Sequence, residues 1–191
     1  MNNDNILYKH SVYLDVAKNI SKLSKDPNTK VGAVIVAEDG TPVSWGYNGT
    51  LQKVDESNIP SGREPSELTL YTHQYNIKTQ EYNNLSEKIT LCINKYPYIC
   101  HAEYNAITFS DRNKLKNSTL YCTHIPCSLC ALKIAQSEIK LVICPEQNND
   151  KNSIVGKDFD ITLSIFAMKN ITLVIGDIQY QPTIENNKLP F

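Results

Sequence analysis

His101, Glu103, Cys127 and Cys130, in the strings C-H-A-E-Y-N-A-I and I-P-C-S-L-C, constrain this chain more than any other residues. One imidazole and two thiolates are three ligands for a zinc ion. They serve one ion only if two separate parts of the fold meet at a point. Cys127 and Cys130 are three apart, so on a helix they share a face one turn from each other. Pro126 just ahead suits a helix start, which places both sulfurs in the first turn, where the helix dipole favours thiolate. His101 and Glu103 are two apart and would diverge inside a helix. They converge on one metal only if His101 ends the preceding loop and a helix begins around Ala102. Ala106, Ile107, Phe109 and Leu115 give a short buried helix there. The fold must therefore aim two helix starts at a common point.

Three protein ligands with an open fourth position is the pattern of a catalytic zinc that holds water, whereas structural sites fill all four. Glu103 is then the group that moves protons on and off that water. A closed structural site would need Cys100, Cys122 or His124 as its fourth ligand, and a carboxylate beside the imidazole is the wrong type to complete one. A redox C-x-x-C would leave H-A-E without a role.

At 191 residues the chain is long enough to bury a good core and lies within the single-domain range. A net charge of −1 gives no electrostatic footprint for tight nucleic-acid binding. The start, Met1-Asn2-Asn3-Asp4, lacks the basic and apolar regions of a signal peptide, and no run approaches the ~18 apolar residues of a membrane span. Six cysteines without a secretory signal point to a reducing, cytoplasmic compartment. Cys92, Cys100, Cys122 and Cys144 read as free thiols, the last two in core strands.

Along the chain, helices and strands alternate. Residues 5–24 carry a helical stripe at Leu7, Val12, Val16, Ile20 and Leu23. Val31–Ala37 is a β-branched run that turns at Glu38-Asp39-Gly40 and returns over Thr41–Gly46. Leu120–Cys122 precedes the second ligand motif and Ile139–Cys144 follows its helix. Phe159–Met168 reads as a helix, although Ile161 and Thr162 are β-branched. Ile171–Ile175 is the last strand, parallel to its predecessor because the connection is long enough for a helix. The expectation is a three-layer α/β/α sandwich on a mixed five-stranded sheet, one domain over residues 1–180. Residues 51–98, polar and tyrosine-rich, are too long for an ordinary loop and read as an insertion or a partly disordered stretch. Residues 181–191 read as a loosely ordered tail.

H-x-E…P-C-x-x-C is the signature of zinc nucleobase deaminases. Three further strings narrow it: S-K-D-P-N-T-K-V-G-A-V-I-V at 24–36, G-Y-N-G at 46–49 and K-Y-P-Y-I-C-H-A-E at 95–103. With these the chain resembles the deoxycytidylate deaminases of the cytidine deaminase superfamily over nearly its whole length. The resemblance implies hydrolysis of dCMP to dUMP and ammonia, which feeds thymidylate synthesis. It implies zinc held by His101, Cys127 and Cys130, with Glu103 as the catalytic acid and base. The N–H of Ala102 and carbonyls of 123–125 would orient the base, and Asn48 would contact the sugar. Ser24, Asn28 and Arg112 would meet the phosphate. It also implies a hexamer, with Gly46, Tyr47, Asn48 and Gly49 walling a second nucleotide site where dCTP activates and dTTP inhibits.

There are departures. Thr50-Leu51-Gln52-Lys53 stands where the family often has Pro, Gly and Cys, which bears on that regulation. Asp26 and Pro27 stand where a second, structural zinc would need a cysteine, so one zinc per chain is expected. A tRNA adenosine deaminase would be basic, and a free-nucleoside cytidine deaminase usually carries Cys in place of His101. A non-catalytic nucleotide sensor on the same fold would not need Glu103.

Overall fold

The computed structural model describes residues 3–55, 59, 63–72, 75–82, 87–147 and 154–184. In chain order, α1 (Asn3–Ser21) is followed by β1 (Gly32–Val36), β2 (Pro42–Tyr47) and the two-residue β3 (Gly49–Thr50). Next come β4 (Ser66–Thr72), β5 (Tyr75–Asn76), β6 (Glu81–Tyr82), β7 (Glu87–Ile93) and β8 (Ile99–Cys100). The chain ends with α2 (Ala102–Thr108), β9 (Thr119–Cys122), α3 (Ser128–Gln136), β10 (Leu141–Cys144), α4 (Ile154–Lys169), β11 (Thr172–Ile175) and β12 (Ile178–Tyr180).

Two compact units result, residues 1–49 with 100–191, and residues 50–99. In the second unit β4 and β7 form an antiparallel pair from Ser66 opposite Ile93 to Thr72 opposite Glu87, and β5 and β6 form a shorter one. Of the expected tail, residues 185–191 lie outside the described residues. Among the described residues no helix is long and apolar enough to cross a membrane.

The first unit is built on a mixed sheet ordered β12-β11-β10-β9-β1-β2. β9, β10 and β11 run parallel, and β1 is antiparallel to both its neighbours. Every residue of β1 is buried, which requires cover on both faces. Period-2 alternation divides them: Val34 and Val36 pack with Tyr121, Ile143 and the α1 residues Tyr13, Leu14, Ala17 and Ile20. Ala33 and Ile35 pack with Ala102 and Ala106 of α2, Ala131 and Ile134 of α3, and Phe166 of α4. One helix covers one face and three cover the other, which makes the three layers.

Two expectations need correction. The sheet has six strands rather than five, because Ile171–Ile175 is not followed by the end of the sheet. Gly176, in the left-handed region at φ 56, makes a two-residue turn with Asp177, and Ile178 pairs back onto Ile175. The returning β12 is largely exposed, and its Ile178-Gln179-Tyr180 alternation is too short, at three residues, to mark a strand in sequence. The expected stripe is also rotated: Ile20 packs on the sheet, but Val12 and Val16 are exposed, as is Leu23 beyond the end of α1, and the side chain of Leu7 lies outside the described residues.

Gly32 explains the rotation. A Cβ at Gly32 would overlap the Ala17 carbonyl oxygen and crowd the Ser21 nitrogen, so the α1 backbone lies directly on β1. Only a small residue fits at that approach, and Ala17 is the one α1 supplies. Gly46 does the same for the opposite layer: its missing Cβ leaves room for the Ala102 oxygen and the Ala106 nitrogen of α2. Ser44 Oγ adds a bond to the Ala106 carbonyl at 2.7 Å.

Gly32→Ala and Gly46→Ala should each destabilise the protein by about 1–3 kcal/mol, the usual range for overpacking, and Gly49→Ala, where space is open, by less than about 0.5 kcal/mol. Urea unfolding of the three variants checks this; equal midpoints for all three would contradict the close approach.

Candidate active site

α2 and α3 begin in the same way. His101 is the N-cap of α2 at φ −73, ψ 158, and Cys127 is the N-cap of α3 at φ −71, ψ 167. Their carbonyls accept the first helical bonds, from Asn105 N–H at 3.0 Å and Ala131 N–H at 2.8 Å. Neither side chain caps its own helix. They turn toward each other instead: His101 Nδ1 lies 3.4 Å from Cys127 Sγ and 3.4 Å from Cys130 Sγ. The helix start expected at Ala102 is where the structure has it, whereas Cys127 stands one residue ahead of α3 rather than within its first turn.

The three donor atoms lie within 4.8 Å of one another. Tetrahedral zinc with ordinary Zn–S and Zn–N bond lengths would separate N from S by roughly 3.6 Å. Both observed separations come close to that, so the donor set fits zinc in size as well as in chemistry. Cys130 is buried, Cys127 half-buried and His101 exposed, so an ion there would have protein on one side and an open side toward His101.

Charge is arranged around this cluster. The Cys127 thiol is pulled down to about 4, chiefly because Cys130 donates to it, with His101 adding to the effect and burial opposing it. The same contact and burial push the Cys130 thiol up, so without an ion it keeps the proton that a cation would displace. The His101 imidazole is raised, first by its hydrogen bond to Cys127 and against burial. Glu103 is 4 % exposed, and burial raises its carboxyl above the usual range, against a bond from its own N–H and the charge of His101. A buried carboxyl that readily holds a proton, beside a site for an acidified water, is equipped to move protons.

The remaining sequence candidates divide. Ala102 is fully buried at the first helical position of α2, where a backbone N–H has no partner within the helix. Asn48 is 7 % exposed and committed to main chain: its Oδ1 accepts from Val31 N–H at 2.8 Å and its Nδ2 donates to the Thr29 carbonyl at 2.9 Å. It therefore ties the 29–31 loop to the G-Y-N-G turn. Within that turn Gly46 is packed under α2, and Tyr47 stacks on Trp45 with centroids 6.3 Å apart. A Cβ at Gly49 would meet no more than the Tyr47 ring edge at 4.0 Å. Ser24 is buried and its Oγ accepts from Asp26 N–H, whereas Asn28 is exposed. Arg112 is exposed in a 3-10 turn beyond the C-terminal end of α2, the end opposite the ligands. A seven-residue helix is about 10 Å long, so the length of α2 lies between the ligand end and the turn that carries Arg112.

Two residues that sequence reading passed over also position the site. Asn105 Nδ2 donates to the Tyr47 carbonyl at 2.8 Å, fixing α2 to the G-Y-N-G turn. Gln147 accepts from Ile125 N–H at 3.3 Å and donates to the Thr123 carbonyl at 3.0 Å, holding the stretch 123–125. Each is an amide whose partner lies far away in sequence, so no local pattern marks it.

Comparison with known proteins agrees with this geometry. Residues 7–146 match the model of the cytidine and deoxycytidylate deaminase zinc-binding region. A probable deoxycytidylate deaminase of Caenorhabditis elegans is 35 % identical over 144 residues, which are 75 % of this chain and 60 % of that protein. The Homo sapiens deoxycytidylate deaminase is 34 % identical over 140 residues, 73 % of this chain and 66 % of the relative. The chain thus spans about three fifths to two thirds of the length of these relatives. The dCMP deaminase of cyanophage S-TIM5, solved in complex with dCMP and dUMP, superposes with a TM-score of 0.55 at 20 % identity, covering 92 % of this chain and 98 % of that one, a likeness of fold. With two helix starts meeting at a His/Cys/Cys cluster over a buried glutamate, the chain belongs to the zinc-binding cytidine and deoxycytidylate deaminase family.

Proposed function

We propose that this chain deaminates dCMP to dUMP and ammonia by hydrolysis, supplying dUMP for thymidylate synthesis. The observation that carries the reading is Glu103, a buried carboxyl held beside the His101, Cys127 and Cys130 cluster in a chain of this family. A zinc ion held by those three residues supplies a Lewis acid that makes water a competent nucleophile near neutral pH.

The chain's own residues do the rest. Glu103 takes the proton of the attacking water and delivers it to ring nitrogen 3 as the water oxygen adds to carbon 4. It then carries the second proton to the amino group, the C4–N4 bond breaks, and ammonia leaves. The Ala102 N–H at the start of α2, with its share of the positive helix end, holds the base together with carbonyls of the 123–125 stretch. Asn48 orders the loop that meets the sugar. Ser24, Asn28 and Arg112 are the proposed phosphate-end group. A hexamer regulated through the 46–49 turn, with dCTP activating and dTTP inhibiting, completes the reading.

Purified protein should hold one zinc per chain by elemental analysis. Cys127→Ala or Cys130→Ala should remove it and lower the melting temperature, because the ion joins two helix starts. Two zinc ions per chain would contradict the single-site reading.

Glu103→Gln should keep zinc and fold yet lose about 10²–10⁴-fold in turnover, since an amide hydrogen-bonds but carries no proton. Ammonia release within a few fold of the unsubstituted enzyme would remove Glu103 from this role.

Wild-type enzyme should prefer dCMP to deoxycytidine, and Arg112→Ala should slow dCMP turnover while sparing deoxycytidine. Equal wild-type rates on the two substrates would overturn the dCMP assignment. The same assay with dCTP and dTTP added tests regulation, and unchanged curves would leave an unregulated deaminase.

A further inference from the structure

Metal ligation leaves Cys127 unable to do what its position asks of it. An N-cap side chain ordinarily accepts from the first free N–H groups of its helix. The Cys127 sulfur faces His101 instead and makes no capping bond. Helix α4 makes up the deficit. The Asp158 carboxylate accepts from Ser128 N–H at 3.0 Å. The Thr162 hydroxyl donates to the Pro126 carbonyl at 3.1 Å. Pro126 and Ser128 are the residues on either side of Cys127, so the peptide groups flanking the ligand are both fixed from outside. Asp158 and Thr162 are four apart on α4 and therefore lie on one face, one turn from each other. Thr162 is fully buried, in surroundings where an unpaired hydroxyl would be costly, and the Pro126 carbonyl is its partner. The Asp158 charge also sits at the positive end of α3, where it is favourable.

We propose that Asp158 and Thr162 are positioning residues for the metal ligand Cys127. They set the direction of its sulfur through the main chain and thereby the retention of zinc, without touching the ion. The proposal rests on the zinc reading above. The matched family region ends at residue 146, so this clamp belongs to a part of the chain beyond it. A tighter helix cap alone would stabilise α3 but leave metal retention unchanged, which is the distinction to test.

The full-length protein is loaded with zinc, and transfer to a colorimetric chelator is timed; the cobalt-substituted form gives the ligand-field spectrum. Loss of a group that orients a metal ligand typically costs 10–100-fold in metal affinity. Asp158→Asn and Thr162→Val should lower zinc affinity by about that factor and shift the cobalt bands, and Thr162→Ser, which keeps the hydroxyl, should restore both. Ile165→Val, a core trim on α4 outside the clamp, should lower the melting temperature without altering zinc release. If Asp158→Asn fails to fold, the Thr162→Val and Thr162→Ser pair decides alone. Zinc release equal to wild type in the folded clamp variants, or an equal effect from Ile165→Val, would overturn the proposal. A wild-type protein that takes up neither zinc nor cobalt would overturn the metal reading itself, and it is recognised before any variant is compared.

Discussion

The structure depends on placing two helix N-termini against one point. His101 and Cys127 occupy the residue at which the chain has left the loop but has not yet entered the helix, with nearly the same backbone angles. A side chain in that position leaves along a direction fixed by where the helix starts, so the ligand geometry is set by how α2 and α3 are seated. They are seated by different means. α2 lies on β2, through the Gly46 contact and the bonds from Ser44 and Asn105. α3 takes its entry peptide groups from α4. Each such bond contributes on the order of 1 kcal/mol net, but together they leave the cluster little freedom to open.

Glu103 is the costly element of this arrangement. A carboxylate with 4 % of its surface in water is disfavoured unless it is protonated or paired. Nearby, the Cys122 and Cys144 thiols are both buried and pushed up, first by burial and then by the charge of Glu103. These sulfurs stay neutral, so the floor of the site adds no second negative charge. In the proposed reaction both protons would then have one buried carrier, Glu103.

The parts legible in sequence were those encoded locally. Ligand spacing dictated a loop-to-helix junction at His101 and Ala102, and the junction is there because two residues two apart cannot share a helical face. The alternation of helix and strand identified the layered class. What escaped depended on partners distant in sequence. The buried face of α1 was misjudged because the close approach at Gly32 favours Ala17 over the larger valines. β12 escaped because an alternation of only three residues, Ile178-Gln179-Tyr180, is too short to distinguish a strand from a turn's edge. Asn105 and Gln147 are ordinary polar residues until their acceptors come into view.

The registration of α2 on β2 is made by main-chain atoms meeting at Gly46, not by the length of the chain that joins them. That joining chain is the whole of residues 50–99. Closing a connection grows slowly with its length, by about 0.6 kcal/mol for each doubling. The contacts that seat α2 on β2, at Gly46, Ser44 and Asn105, all lie outside this connection, so they do not draw on its length. The segment between the G-Y-N-G turn and the H-A-E motif is thus free to differ in length and content without removing any contact that seats the helix start at Ala102.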